Sequence, residues 1–529
     1  MNTIFFNPLF FCALIQQDVI DGRASKLACE ACKLAFELAK KIASFSEPLL
    51  KTLFTLICTL FEIETKQVCN GLLNLYAPQL FFILKHSKLK PLEMCAILVG
   101  PKCLPSEEYL RSKCVWELGI PGKRVSTTTN TNEADYIVYG DGVNEVKTVR
   151  DVSINWQSTH SMSAQTFAQR EVDKILHITD IHLDPNYCEA CHAYCEEPLC
   201  CMNISNSTNR SILSGYWGSY GNCDIPVQTV EKSLEYLSKM HNFDYIMYTG
   251  DTLPHLIWNA SKAITVEEIR TLTAILRKYL ANSTLFFPVI GNHEGLPVNM
   301  FPPPEIENPF SLNWLYDALY EQWQQWICEK SVKSFKYGGY YSRNVTKALK
   351  VIALNSNFCA RLNFWQLLKP SDFGYQLQWL VNELNQAEKS RQSVHIIGHI
   401  APDKFQCNAI WLRHYLRILK RYNETIKAQF FGHTHFDEFR VYETKSDKTP
   451  LSMAYIGGSL TTYLNVNPMF KVYTIAKNGV VKDCRTFYFN LTSANIAAKS
   501  GLKQQLPWRE EYSAMIAYEM KSQSALEYN

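Results

Sequence analysis

Apolar residues recur at two different periods along this chain. Between Cys29 and Cys103 they return every three to four residues, as in "CKLAFELAKKI" and "PLLKTLFTLICTLF", which predicts helices with one apolar stripe. From Lys174 onward, short apolar runs alternate with helical patterns, which predicts an α/β domain. Between the two lies a stretch rich in Thr, Asn and Ser, from Gly119 to Arg170, containing "VSTTTNTNEADYIVYGDG". Its lack of periodicity reads as a connector with little core of its own.

Five of the apolar runs end alike. "KILHIT" runs into Asp180-Ile181-His182, and "DYIMYT" into Gly250-Asp251. "TLFFPVI" leads to Gly291-Asn292-His293-Glu294, "SVHII" to Gly398-His399, and "AQFF" to Gly432-His433-Thr434-His435. Each run is β-branched or aromatic and short enough for a buried strand. Four of the five polar clusters begin with Gly, which lets the backbone turn or approach a ligand closely. Ligands of α/β sheets sit beyond the carboxyl ends of strands, so five such ends can pool their side chains in one cavity.

The pooled chemistry is specific. Asp, His and Asn offer oxygen and imidazole donors suited to Zn, Mn or Fe, with no need for cysteine. Seven such groups are too many for one tetrahedral ion and suit two ions sharing a carboxylate, roughly 3.5–4 Å apart. Two further histidines read as catalytic. His293 follows Asn292 directly, and His255 stands four residues after Asp251 in "GDTLPH". A positioned imidazolium there can protonate a leaving alcohol or stabilise phosphoryl charge; the plainer alternative is a hydrogen-bonded partner of the ligands. That second role is the one read for His395 in "SVHIIGH".

Composition narrows the setting. With 529 residues, 47% of them hydrophobic, more than one folding unit is expected. A formal charge of +3 without a dense basic tract argues against nucleic acid as partner. Eighteen cysteines point to an oxidising compartment. Eight N-x-S/T sequons, beginning at Asn203, Asn206, Asn209, Asn259, Asn282, Asn344, Asn423 and Asn490, agree with it. The opening "MNTIFFNPLFFCALIQQ" has the length of a signal segment, read over residues 1–22, without the usual basic start. No apolar run reaches the ~20 residues needed to span a bilayer.

The first helical region carries six cysteines in the spacing C-x2-C-x25-C-x10-C-x25-C-x7-C, a small module stapled by three bridges among 15 possible pairings. This spacing resembles the saposin-like family of lipid-binding helical domains. That resemblance implies Cys29–Cys103, Cys32–Cys95 and Cys58–Cys69, with residues 25–107 as the module and 108–171 as the linker. The alternative is a disulfide staple without a lipid role, but "LLNLYAPQLFFIL" holds more apolar surface than so small a module easily hides.

The ordered set D-x-H, G-D, G-N-H-E, G-H, G-H-x-H resembles the calcineurin-like metallophosphoesterases. The fold this implies is α/β, a two-sheet sandwich flanked by helices, expected over 172–475, with 476–529 a partly helical C-terminal segment. Carried over by position, one metal takes Asp180, His182, Asp251 and His435, and the other takes Asp251, Asn292, His399 and His433. Asp251 is then the shared ligand, and His433 and His435 serve different ions.

Further segments, "EEPLCC", "GYWGSYGNCDIP", "GDTLPHLIW", "GNHEGLPVNMFPPP" and "NFWQLL", resemble the acid sphingomyelinase family, from Ser25 to Met520. The resemblance implies hydrolysis of sphingomyelin to ceramide and phosphocholine with two Zn2+ per chain, His293 or His255 protonating the ceramide oxygen. It also implies a secreted or lysosomal setting and peripheral contact with sphingomyelin in membranes or lipoproteins. Protonation of some of the 13 histidines in acid makes the surface more positive and is expected to favour anionic lipids, and a monomer is expected. The resemblance pairs Cys195 with Cys200, Cys201 with Cys223 and Cys359 with Cys407. Cys114, Cys188, Cys191, Cys328 and Cys484 remain once Cys12 is set aside with the leading segment, an odd number. Cys188-x-x-Cys191 is open to reading as a metal half-site, though a local disulfide is favoured. The connector is longer and more polar than the proline-rich one of that family. Two alternatives stand beside this reading: a phosphodiesterase for soluble nucleotide-type substrates, and a non-catalytic lipid-binding protein.

Overall fold

A computed structural model describes residues 26–44, 46–100, 103, 116–122, 173–203, 212–240, 243–280, 285–444 and 449–520. The expected signal segment and most of the expected linker, with Cys114, lie outside the described residues. Among the described residues no helix is long and apolar enough to cross a membrane.

Four helices form the N-terminal module: α1 (Lys26–Ala43), α2 (Glu47–Leu60), α3 (Lys66–His86) and α4 (Pro91–Leu98). Local chemistry sets two of their starts. Ser46 caps α2 by accepting from the Leu49 amide, with Pro48 in the first turn, and Thr65 caps α3 through the Val68 amide. On α3, Val68, Leu72, Tyr76, Leu80 and Ile83 are buried at three- to four-residue spacing, whereas α2 buries only Leu50. The disulfides Cys29–Cys103, Cys32–Cys95 and Cys58–Cys69 agree with the expected pairing. Helix α3 also anchors the module to the rest of the chain. The Tyr76 hydroxyl donates to the Val298 carbonyl at 2.8 Å, and Gln79 accepts from the Trp365 indole at 2.7 Å and donates to the Leu296 carbonyl at 3.2 Å.

The larger body is the expected two-sheet sandwich. Its strands are β1 (Lys174–Ile178), β2 (Leu183–Asp184), β3 (Ile225–Pro226), β4 (Tyr245–Tyr248), β5 (Leu285–Pro288), β6 (Tyr341–Asn344) and β7 (Leu349–Ala353). They continue with β8 (Ser393–Ile397), β9 (Ile426–Phe431), β10 (Glu438–Glu443), β11 (Pro450–Ile456), β12 (Met469–Ile475), β13 (Val481–Tyr488) and β14 (Arg509–Ser513). One sheet runs β14-β13-β12-β1-β4-β5 and the other β10-β11-β9-β8-β7-β6, while β2 and β3 form a separate pair. The inner strands β1, β4 and β5 are mutually parallel, as are β7, β8 and β9. They are buried nearly throughout, which is why they read as continuous apolar runs. An aromatic layer joins the sheets: Phe430 of β9 meets Tyr473 of β12 at 4.9 Å between ring centres, and Tyr455 of β11 meets Tyr473 at 5.3 Å.

Two expectations need revision. The first sheet does not stop at residue 475, because β13 and β14 extend it in antiparallel register, so part of 476–529 is sheet as well as helix. The described piece of the connector, 116–122, is not loose either. Trp116 stacks on His414 at 4.2 Å, and Arg421 donates to the carbonyls of Pro121 and Gly122.

Outside the module, Cys195–Cys200, Cys201–Cys223 and Cys359–Cys407 agree with the expected pairs. Cys188 bonds Cys191, so that motif is a local disulfide and not half of a metal site. Cys328 and Cys484 are the free cysteines among the described residues.

Candidate metal centre

The parallel strands β1, β4, β5, β8 and β9 end on one edge of the sandwich, and the five polar clusters meet there. The backbone first ties the loops together. The amides of Ile181 and His182 both donate to the Asp251 carbonyl at 3.1 Å, and the Asp180 amide donates to the Gly250 carbonyl. The carboxylate of Glu294 receives the amides of Thr252 and Gly291, each at 2.6 Å, joining the ends of β4 and β5. Asp180, His182, Asp251, His433 and His435 all carry positive φ, between 44° and 77°. A non-glycine residue in that region costs about 1–3 kcal/mol, which the loop-to-loop bonds must offset.

The glycines of these clusters serve close approach. A Cβ on Gly291 would stand 2.0 Å from Oδ1 of Asp251, and one on Gly432 would stand 2.4 Å from Oδ2 of Asp180. Each carboxylate therefore rests against a backbone that only glycine permits.

The side chains form two groups sharing Asp251. Around the first, Nε2 of His182 lies 3.4 Å from Oδ2 of Asp251, 3.9 Å from Oδ1 of Asp180 and 3.2 Å from Nε2 of His435. His435 in turn lies 3.6 Å from Oδ1 of Asp180. Around the second, Nε2 of His399 lies 3.1 Å from Oδ2 of Asp251 and 2.8 Å from Oδ1 of Asn292. Ligand atoms of Asp251, His399 and His433 all fall within 4.8 Å of one another. The seven residues expected as ligands thus lie together at this edge, and His255 groups with His182 and His435, and His293 with His182 and Asp251, within the same 4.8 Å.

The donors fit divalent metal. They are oxygen and imidazole nitrogen only. His182 and His399 each turn Nδ1 to a main-chain carbonyl, of Leu253 at 2.6 Å and Thr249 at 2.8 Å, so each presents Nε2 to the cluster. His435 Nδ1 is buried without a hydrogen-bond partner. Electrostatics fits too. Burial alone would lower the pKa of His182 and His399, but the neighbouring carboxylates, Asp251 foremost, raise both to about 9. Burial works against ionising Asp251, yet the surrounding imidazoles hold it well below the usual carboxylate range. Burial lowers the other two imidazoles, His433 to about 3 and His435 well below the ordinary histidine value, so the carboxylates favour protons on only part of the cluster.

His255 and His293 stand beside the first group. Their rings are 4.2 and 4.6 Å from that of His182 and 4.6 Å from each other. The His293 amide donates to Oδ1 of Asp251 at 2.9 Å, and its Nδ1 is buried without a partner. His255 is held by a residue the motifs do not mark. Asp224 accepts from the His255 amide at 2.7 Å and from its Nδ1 at 3.0 Å, and also receives the Thr461 hydroxyl. Tyr463 lies flat on the other face of His255, 3.7 Å between ring centres and 2° from parallel. With Nδ1–H given to Asp224, Nε2 is the nitrogen left to His255 for the cluster, where it groups with His182 and His435 within 4.8 Å. Burial lowers both His255 and His293, so both rings rest neutral. His395 does not join the site. Its Nδ1 meets the Tyr245 hydroxyl at 2.5 Å and its Nε2 meets the Gly479 carbonyl at 2.6 Å, so it braces the two sheets.

The two-sheet sandwich and its strand-end centre define a phosphoesterase of the calcineurin-like class, and Calcineurin-like phosphoesterase matches residues 173–437. Over 480 residues the chain is 35% identical to Sphingomyelin phosphodiesterase of Homo sapiens, covering 89% of this chain and 70% of that one. It is 36% identical over 446 residues to Sphingomyelin phosphodiesterase of Bos taurus, covering 83% and 65%. It is 30% identical over 509 residues to Sphingomyelin phosphodiesterase 1 of Caenorhabditis elegans, covering 95% and 83%. The chain belongs to the sphingomyelin phosphodiesterase family.

Proposed function

We propose that this protein hydrolyses sphingomyelin to ceramide and phosphocholine at a membrane surface. The observation that carries the reading is Asp251, whose Oδ2 stands 3.4 Å from His182 and 3.1 Å from His399 and so links two ligand sets. Asp180, His182, Asp251 and His435 would hold one divalent ion, and Asp251, Asn292, His399 and His433 a second, both read as Zn2+. Such a pair supplies Lewis-acid polarisation of a phosphoryl oxygen and a lowered pKa for water.

The chain's own residues do the rest. The buried walls limit access of bulk water, which strengthens every charge interaction with the phosphodiester. The phosphate charge favours protonation of the neighbouring imidazoles, and His255 Nε2, with Asp224 behind its Nδ1, is placed to pass a proton to the leaving ceramide oxygen. His293 is the other candidate for that transfer. The helical module supports a lipid substrate through the half-exposed apolar face of α2. Seven disulfides among the described residues fit a secreted or lysosomal protein. A monomer with some affinity for anionic membranes completes the proposal.

The test is phosphocholine release from sphingomyelin vesicles by purified protein, before and after chelation and with Zn2+ restored. Zn2+-dependent release that Asp251→Asn abolishes is the expected result. Turnover of nucleotide phosphodiesters without phosphocholine release would move the protein to soluble substrates. Silence toward both, with vesicle binding retained, would leave a lipid-binding protein.

A further inference from the structure

We propose, on the reading of His255 as proton donor to the leaving oxygen, that Tyr463 is a positioning residue that sets the plane of the His255 ring. Two disulfides, Cys195–Cys200 and Cys201–Cys223, hold its supports in place. The bond from Nδ1 to Asp224 fixes the tautomer of His255 but restrains its tilt only weakly, because the terminal torsion of a histidine is broad. A flat neighbour removes that freedom. Tyr463 is such a neighbour, at 3.7 Å between ring centres and 2° from parallel, closer and flatter than His182 at 4.2 Å and 34°.

Tyr463 is itself fixed. It is only 7% exposed, and its hydroxyl donates to the Pro198 carbonyl at 2.7 Å. The residues beside it reach neighbouring parts of the chain. The Thr462 hydroxyl donates to the Cys223 carbonyl at 2.9 Å, and the Thr461 hydroxyl to Oδ1 of Asp224 at 3.0 Å. The Leu464 amide donates to the Gly221 carbonyl at 3.0 Å. On the other side, the amides of Leu460 and Thr461 donate to the carbonyls of Thr179 and Asp180, each at 3.1 Å.

These bonds close around one ring. Asp224 holds His255 at its edge and Tyr463 holds it at its face. The supports of the two are joined covalently by a short path. Pro198 lies in the loop closed by Cys195–Cys200, Cys201 follows directly, and its disulfide leads to Cys223, the neighbour of Asp224. A shift of Tyr463 would therefore have to break several bonds at once, which is what placing a proton donor to within an ångström requires.

The leaving group separates this role from a merely structural one, because nitrophenolate departs without a proton and an alkyl alcohol does not. The full chain is assayed with a short-chain sphingomyelin below its micellar concentration and with p-nitrophenyl phosphocholine. On the first, Tyr463→Leu is expected to lower kcat about tenfold or more, with KM and bound metal unchanged. On the second it is expected to stay within about threefold of wild type. Tyr463→Phe keeps the flat ring and is expected to stay within about fivefold on both, the net worth of the lost hydroxyl bond. In metal-free protein with isotope-labelled histidine, the ring current should hold the His255 signal upfield in wild type and Tyr463→Phe, and release it downfield in Tyr463→Leu. An unmoved signal would overturn the positioning, as would an equal loss of turnover on both substrates. His255→Gln tells two failures apart. An alcohol-specific loss there with none in Tyr463→Leu overturns the positioning alone, and no such loss in either variant overturns the reading of His255 with it.

Discussion

Asp224 grips His255 at two points, its carboxylate taking the backbone amide at 2.7 Å and the ring Nδ1 at 3.0 Å. One buried residue thereby sets the position, tautomer and charge balance of a ring packed against His182 and His293. Burial pushes Asp224 up to about 6, so the pair is sensitive to losing its only formal charge.

Asp224→Asn keeps the shape and one acceptor but removes the charge that supports an imidazolium. The expected outcome is a kcat lower by about 10²-fold, the usual span of a positioned acid–base group, with metal content unchanged. The acidic limb of the pH–rate profile should move as well, since a merely structural role would leave it in place. Activity within a few-fold of wild type would remove His255 from the proton path.

Gly291→Ala tests the close approach behind the shared ligand. The added Cβ would lie 2.0 Å from Oδ1 and 2.3 Å from the backbone nitrogen of Asp251, and the latter cannot swing aside. Displacing this carboxylate by even an ångström is expected to cost about 10²-fold or more in turnover. Metal content should fall with it, read by elemental analysis after dialysis, while the helical module keeps its far-ultraviolet signal.

The strand-end centre was legible because its residues follow apolar runs directly, in motifs only two to four residues long. Parallel strands then bring Asp180, Asp251, Asn292, His399 and His433 to one edge without further information. Asp224 lies 31 residues from His255, just before the two-residue strand β3, so no periodicity or motif marks it. Tyr463 is likewise placed by tertiary packing, from a loop after β11. His395 misleads in the opposite way. It stands in a strand that ends at a ligand, yet its ring turns into the layer between the sheets, because strand side chains alternate in direction. Strands β13 and β14 escaped for a related reason: "VKDCRTFY" and "REEYS" mix polar and apolar residues, as befits strands with one exposed face.

His395 also gives a stability prediction with a definite sign. Burial lowers it to about 4, and both ring nitrogens are used in its neutral form. The unfolded chain takes up a proton near the ordinary histidine pKa, so the contribution is whole above about 6.5 and is lost as pH falls toward 4. Between about pH 7 and pH 5 this one residue should cost about 2 kcal/mol of stability. His395→Asn is expected to be less stable at neutral pH but to lose less on acidification, as read by denaturant unfolding at both values. An equal acid loss in both proteins would show that the histidine is not held neutral.

The helical module offers the last prediction. Leu49, Leu56 and Leu60 are 54%, 51% and 68% exposed, and their spacing of seven and four residues places them on one side of α2. Because α2 buries only Leu50, replacing all three with Ser removes little packing, and the fold should survive. Fully burying one leucine in hydrocarbon contributes about 1.5–3 kcal/mol, so even partial insertion of three should matter for a membrane-bound substrate. The triple variant is therefore expected to lose at least about tenfold in turnover of sphingomyelin in vesicles. It should retain near wild-type turnover of a short-chain analogue dispersed below its micellar concentration, because the metal centre is untouched. A parallel loss on both substrates would mean that the leucines support the catalytic body, and unchanged turnover on both would deny the module a lipid-contacting role through this face.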